Sequence, residues 1–439
     1  MSMKWITGSL IVLVVLGWGL SALLMDRINR LNNQLQVLNM ENEQLKKEIC
    51  VLSNKLMENM TINIGVTATS DDDYYVTEKF FKEIVEKDIN EYCNNLGYNI
   101  KFNFIVRNNK ENISLVLGNL QEFKKMGIDI VIGHPWSSHT YMSMPYVEAN
   151  GMLLFSPSAS SFQLARGGDS LLRLCPDDLS QARVLAEVLR DRGINAIIVI
   201  QAEGEFEEKL FNRLEHEFTR RGGIRLERIL IPEPLWEANV TSYLDDAEVI
   251  AQRLIGSFGP GHVAVQVIGA DQFCKLLKEI KKYPILYGLP WFGVHYTAKN
   301  RFFLDEAGEE AAHLGIFSPL PAPVESYSYT RLNERYFKLS SENLDFIMAN
   351  RYDIAWIIAR SILEARTDDV ERLIEVIPII ASTTFGASGW CKLDENGDRE
   401  TADYDIWGYG YLNDRAVYLK YGRYYGLIGK VSWYNPPAS

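Results

Sequence analysis

The sequence predicts an α/β protein of two doubly wound, Rossmann-like lobes, preceded by a transmembrane helix and a coiled-coil stalk. Three observations lead there. Short β-branched runs alternate with amphipathic stretches from Thr61 onward, and the alternation starts afresh near Ala196. An uncharged run, Trp5–Met25, opens the chain and is followed at once by a heptad repeat. Unbroken apolar strands separated by helices mean parallel sheets covered on both faces, and two successive sets mean two such sheets. At 439 residues the chain is long enough for two or three domains, each burying its own core.

Trp5–Met25 spans 21 residues, which at about 1.5 Å per residue crosses the hydrocarbon core of a bilayer. The competing reading is a cleaved signal peptide, whose apolar region is shorter and ends at a small-x-small site. Here Leu23-Leu24-Met25 closes the run, and no cysteine directly follows for lipid attachment. Since almost the whole chain lies after this run, the globular part is expected on the outer side of the cell membrane, held by a single-pass anchor.

Residues 26–60 carry the heptads. Ile28, Leu35, Asn42, Ile49 and Leu56 fall at one seven-residue spacing, and Leu31, Leu38, Leu45 and Leu52 at the other. With the first set as a and the second as d, leucine at every d and a lone Asn at a favour a parallel two-stranded coiled coil, hence a homodimer. The alternative is a single amphipathic helix lying on the domain.

Beyond the stalk, strands are expected at Ile62–Ala68, Ile100–Val106, Ile128–Gly133 and Leu153–Ser156, with a helix over Asp73–Asn95. A second set runs through Ala196–Ile200, Ile229–Pro232, His262–Gly269 and Trp291–Val294, with a helix over Glu205–Gly222. Tyr404–Leu412, Ala416–Tyr421 and Leu427–Trp433 are aromatic strands with no helices between them, so an antiparallel patch ends the chain. In such sheets ligands bind beyond the carboxyl ends of the strands, near helix N-termini. That singles out the loops Thr69–Tyr75, His134–Ser138, Ser156–Ser161 and Gly293–Tyr296. Their serines offer hydroxyls where the helix dipole is positive, a setting that suits a carboxylate, although Ser137 and Ser160 read equally as plain N-caps.

These loops also carry a resemblance. Gly127–His134 leads to Ser137-Ser138; Leu153-Leu154-Phe155-Ser156-Pro157-Ser158-Ala159-Ser160 follows, then Leu172–Gln181 with its D-x-x-Q, Asp178 to Gln181. The chain resembles the type I periplasmic solute-binding proteins, the family of the leucine/isoleucine/valine-binding protein of ABC transporters, from about Ile62 to Asp405. The resemblance implies two lobes joined by three crossovers: 61–178 with 316–390, and 179–315 with 391–439. It implies that Ser137 and Ser160 give hydroxyls to a ligand carboxylate and Ser158 a backbone carbonyl to its ammonium. Tyr74 and Phe206 would supply aromatic walls. It departs at His295, where the family has the acid that pairs with the ammonium. An imidazole cannot replace that carboxylate, so a carboxylate without a free amine, an amide or another small polar solute is expected, unless His295 is structural and outside the cleft.

Other chemistry is not indicated. The net charge of −12 with no basic tract argues against nucleic acid, and five scattered cysteines form no C-x-x-C. No H-E-x-x-H, G-x-S-x-G, Walker A or G-x-G-x-x-G occurs, so no catalytic residue, cofactor or metal site is expected. Asp394, Asn396 and Asp398 begin like a calcium loop, but Gly397 stands at the wrong place, and Asn396-Gly397 reads better as a hairpin turn. The sequence thus points to a membrane-anchored receptor that captures a small polar or carboxylate-bearing ligand, amino-acid-like or amide, by hinge closure for an ABC permease. The alternative is a dimeric extracytoplasmic sensing domain that signals to a membrane partner.

Overall fold

The computed structural model describes residues 25–42, 44–45, 60–232 and 240–434. The anchor expected over 5–25 lies outside the described residues save for its last position, as does the second half of the stalk. Residues 25–42 and 44–45 are helical and exposed. Among the described residues no helix is long and apolar enough to cross a membrane.

Lobe one is built on five parallel strands, β1 (Met60–Ala68), β2 (Ile100–Asn108), β3 (Ile130–Ile132), β4 (Leu153–Ser156) and β5 (Leu171–Arg173), in the order β2-β1-β3-β4-β5. Every residue of β3 and β4 is buried, which is why their sequences are apolar without alternation. The helix expected over Asp73–Asn95 forms as Asp71–Phe80 and Glu86–Asn95, joined by a single π turn at Phe81–Val85. Ser70 caps its start through Asp73 N–H, and Asp71, Asp72 and Asp73 occupy the first turn, where the helix dipole favours negative charge. Helices Phe346–Ala365 and Val370–Ser382 return to this lobe and complete its core through Ile354, Ile358, Leu373 and Ile377.

Lobe two repeats the scheme with β6 (Ala196–Ala202), β7 (Arg225–Ile231), β8 (Val263–Ile268) and β9 (Trp291–Phe292), all parallel, in the order β7-β6-β8-β9. The antiparallel patch is there too: β10 (Ser318–Ala322), β11 (Asp403–Leu412), β12 (Arg415–Tyr425) and β13 (Lys430–Trp433) form one sheet in sequence order. Its inner residues Tyr404, Ile406 and Tyr424 pack with Val199, Ala264 and Phe292, so this sheet belongs to lobe two.

Two strands escaped the sequence reading. β5 is three residues long, too short for any period to show. β10 reads Ser-Pro-Leu-Pro-Ala, and two prolines argue against a strand unless it lies at an edge, which is where it lies. Both bear on the expected division of the chain. Ser318–Ala322, placed with lobe one from the sequence, pairs with β11 instead. Cys391 and Leu393, placed with lobe two, are buried in the core of lobe one. The reason is that the chain crosses between lobes after β10 and again shortly before β11, later in both cases than the sequence suggested.

Candidate functional site

The loop after β4 and the loop after β9 approach one another beside the three crossovers and bound a cavity of about 370 Å³. Ser158 and Ser160 come from lobe one, and His295 and Lys299 from lobe two. Asp178 comes from the first crossover and Gln181 from the helix that follows it, Leu320 and Pro321 from β10, Tyr404 from β11, and Asp345, Phe346 and Ile347 from the start of a lobe-one helix. A second chamber of about 500 Å³ adjoins it, sharing Asp345 and Ile347 as a wall and bounded by Thr69, Asp73, Tyr75, Trp136 and Arg351. At the mouth the lobes touch: Gln163 Nε2 donates to Glu205 Oε2 at 3.0 Å, and Lys209 Nζ lies 4.5 Å above the Phe162 ring.

The serines of the expected site have different fates. Ser160 lines the first cavity. Its carbonyl accepts from Asp178 N–H at 2.7 Å, which ties the β4 loop to the first crossover. Ser158 also lines the cavity, but its hydroxyl donates to Pro135 O at 2.8 Å. Ser137 does not line either chamber; its Oγ accepts from Ser161 N–H at 3.1 Å and so holds the shape of the β4 loop. Tyr74 is a correction. It turns toward Glu78, to which its hydroxyl donates at 3.0 Å, and its neighbour Tyr75 faces the chamber. Adjacent helical residues point about 100° apart, so an alignment in error by one position selects the wrong tyrosine. Phe206 is a second correction: it lines neither chamber but packs edge-on against His295, with ring centroids 5.8 Å apart, and so backs the imidazole rather than the ligand.

His295 is in the cleft, and its protonation follows from its neighbours. Its backbone N–H donates to Gln181 Oε1 at 3.0 Å, which fixes the orientation of that amide. Gln181 Nε2 therefore faces His295 Nδ1 at 2.6 Å and makes it an acceptor. The neutral ring then carries its proton on Nε2, which lies 3.7 Å from Asp178 Oδ1. Burial holds the imidazole below its ordinary pKa against the opposing pull of Asp178, so His295 is an uncharged donor at neutral pH.

Asp178 changes the reading of the ligand. Position 295 is His and offers an ammonium no carboxylate. The structure places a carboxylate in the same cavity from the crossover. Neighbouring Asp177 is committed to capping Ser180 through its N–H and hydroxyl, whereas among the described residues the Asp178 carboxylate accepts no hydrogen bond from the chain. Asp178 and Gln181 are the D-x-x-Q of the resemblance, a pattern that marks the fold and carries no sign of this chemistry.

The second chamber rests on a buried ion pair. Arg351, 1% exposed, meets Asp73 through Nη1–Oδ1 at 2.8 Å and Nη2–Oδ2 at 3.2 Å, and also donates to Thr67 O and Thr77 Oγ1. Burial opposes ionisation of Asp73, but the guanidinium and the hydrogen bonds from Thr69 and Thr77 prevail and lower its pKa to about 2. A similar pair, Arg173 with Asp398, locks β5 to the Asp394–Asp398 turn, where Asp394 Oδ1 accepts from the N–H groups of Asn396 and Asp398. The carboxylates that resembled a calcium loop are thus committed to the turn and to Arg173. Among the described residues no cluster of three His, Cys, Asp or Glu could hold a metal ion.

Two lobes with parallel sheets of matching order, joined by three crossovers around a largely apolar cavity that holds a few polar groups, define a ligand-binding receptor of the periplasmic-binding-protein type I class. Residues 83–411 match the model of the receptor family ligand binding region, and the chain belongs to that family, one of binding regions rather than enzymes. It is similar to the uncharacterized protein MJ1266 of Methanocaldococcus jannaschii, 23% identical over 378 residues that cover 82% of this chain and 88% of that one. Among solved structures it is similar to an ABC transporter substrate-binding protein from Desulfitobacterium hafniense in complex with Leu. That structure is 19% identical with a TM-score of 0.55, covering 82% of this chain and 100% of the other. It is also similar to an ABC transporter solute binding protein from R. palustris in complex with benzoate, 14% identical with a TM-score of 0.51, covering 82% and 96%.

Proposed function

We propose that the chain is the extracytoplasmic solute receptor of an ABC importer, and that it closes on a small amino-acid-like ligand. The observation that carries this reading is one cavity holding both an uncommitted hydroxyl, Ser160, and an uncommitted carboxylate, Asp178. The hydroxyl suits the ligand's carboxylate and Asp178 its ammonium. His295 Nε2–H stands beside Asp178 as a neutral donor, and Phe346, Ile347, Leu320 and Pro321 offer apolar walls for a side chain. The relatives solved with Leu and with benzoate mark two kinds of carboxylate ligand, one with an amine and one without. Asp178 favours the first.

Isothermal titration of the full chain with amino acids, their amides and benzoate tests this. A charge-assisted hydrogen bond contributes about 1.5–3 kcal/mol, or tenfold or more in affinity. Asp178→Asn is expected to weaken an amino acid at least tenfold and leave benzoate within a factor of three, while Ser160→Ala weakens both. Amino-acid affinity unchanged in Asp178→Asn would overturn the assignment.

The proposed tether is the uncharged run Trp5–Met25, with a two-stranded coiled coil as stalk. The stalk supports a second reading, a dimeric sensor, because Ile28, Leu31, Leu35, Leu38 and Leu45 are each at least half exposed along one helical stripe and suit a second copy of the chain. An importer permease that copurifies with the chain favours transport; a membrane kinase or transducer favours sensing.

A further inference from the structure

On the outer face of lobe one, away from the ligand cleft, the helices Tyr327–Ser340 and Phe346–Ala365 and the loop after Val370–Ser382 surround a pocket of about 350 Å³. Three arginines line it, Arg331, Arg335 and Arg360, in a protein whose net charge is −12. Arg335 is neutralised by a bidentate pair with Asp88 at 2.7 and 2.8 Å. The other two are not. Arg360 donates to Thr384 Oγ1 at 2.9 Å and Arg331 to the Tyr327 hydroxyl at 3.0 Å, both neutral acceptors, and among the described residues neither guanidinium has a carboxylate within ion-pair distance.

The pocket's own acid cannot serve them. Asp353 is 2% exposed and its oxygens accept from Ala387 N–H, Ser388 N–H and the Ser388 hydroxyl. Tyr352, Trp356 and Phe385 form aromatic walls. The balance of the pocket is therefore an excess of donors and positive charge beside flat apolar surface. Guanidinium groups are matched by planar or tetrahedral oxyanions, which accept from several N–H groups at once.

We propose that this pocket is a second binding site, specific for an oxyanion, a phosphate or carboxylate group carried by a small molecule. Arg360 and Arg331 are its charge partners. It is separate from the cleft, so its occupancy is independent of the solute reading above.

The test uses the full chain with inorganic phosphate and, in a parallel arm, benzoate, each against potassium chloride at matched ionic strength. Binding is followed by thermal shift and by the intrinsic fluorescence of tryptophan. Saturable binding is expected in at least one arm; phosphate alone marks an inorganic or phosphorylated ligand, and benzoate alone an organic carboxylate where Ser160→Ala keeps the response and the arginine variants lose it. Arg360→Gln and Arg331→Gln are each expected to weaken it at least tenfold, while Ser160→Ala, in the cleft, leaves the binding of phosphate unchanged. Because Arg331 is exposed, its variant keeps the fold even if Arg360→Gln does not. No saturable response beyond the chloride control in either arm, or a response that both arginine variants retain in full, would overturn the proposal.

Discussion

Replacing Asp73 by Asn tests how the wall of the second chamber is held. Asp73 sits in the first turn of the helix after β1, and its carboxylate receives both Nη groups of Arg351, Thr69 N–H at 2.8 Å and Thr77 Oγ1 at 3.0 Å. Asn keeps the shape but removes the charge, and leaves a guanidinium that is 1% exposed without a counter-ion. Breaking one side of such a buried pair costs about 3–5 kcal/mol. The pH dependence gives a second measure. A carboxylate lowered from 3.8 to about 2 on folding contributes about 2.5 kcal/mol at neutral pH. The sign follows from the depressed folded pKa: the contribution is complete above the unfolded value near pH 4 and is lost as pH falls through about 2, with about half remaining near pH 3. Urea unfolding followed by circular dichroism at pH 7 and pH 3 reads both. Asp73→Asn is expected to be strongly destabilised at pH 7 and less so, relative to wild type, at pH 3. Adding Arg351→Met is expected to restore part of the loss, because the orphaned charge is then gone. A deficit below about 1 kcal/mol at pH 7, or one that does not change with pH, would refute the reasoning.

Two further outcomes concern the stalk and the His295 loop. Sedimentation equilibrium of the full chain is expected to give a dimer, and Leu31→Asp with Leu38→Asp, which put charge at two d positions, a monomer; a monomeric wild type would sink the coiled-coil reading. Gly293→Ala is expected to lower stability by about 1–3 kcal/mol. The new Cβ would lie 2.0 Å from Thr297 Oγ1 and 2.6 Å from Ser318 Oγ, two hydroxyls that hydrogen-bond each other at 2.7 Å beneath His295. Ligand affinity measured on the same variant would fall with it; a variant of wild-type stability would show that the loop has more room than the geometry allows.

Much of the fold was legible because its main signal is local. β6 is buried along its whole length and shows as an apolar run, β2 at the sheet edge buries alternate residues and shows as an alternation, and Ser70 with three aspartates marks a helix start in the sequence itself. What stayed hidden depends on distant pairing. β10 is a strand only because β11 lies beside it, and its prolines advertise the opposite. The same holds in the cleft. Ser160 and His295 sit in loops that a strand–helix alternation locates, and both line the cavity. Ser137 also sits in such a loop, but its hydroxyl is turned to Ser161 by a contact across 24 positions of chain. Asp178 was overlooked for a similar reason: it lies on a crossover rather than at the end of a strand, and the rule that points to strand ends is silent about crossovers.

That position has a consequence for closure. Asp178 N–H is bonded to Ser160 O, so the two proposed ligand anchors are tied to each other at the hinge, where opening of the lobes separates groups least. Contacts that are equal in the open and closed forms raise affinity without shifting the balance between them. The driving force for closing must then come from groups farther from the hinge. His295 on lobe two (backed by Phe206), Tyr75 and Trp136 on lobe one, and the Gln163–Glu205 contact at the mouth meet this condition. Under the proposed function the hinge pair would select the charged ends of the solute, and the lobe faces would convert its side chain into closure. On this division of labour Asp178→Asn loses affinity for an amino acid, yet once saturated closes as fully as the wild type.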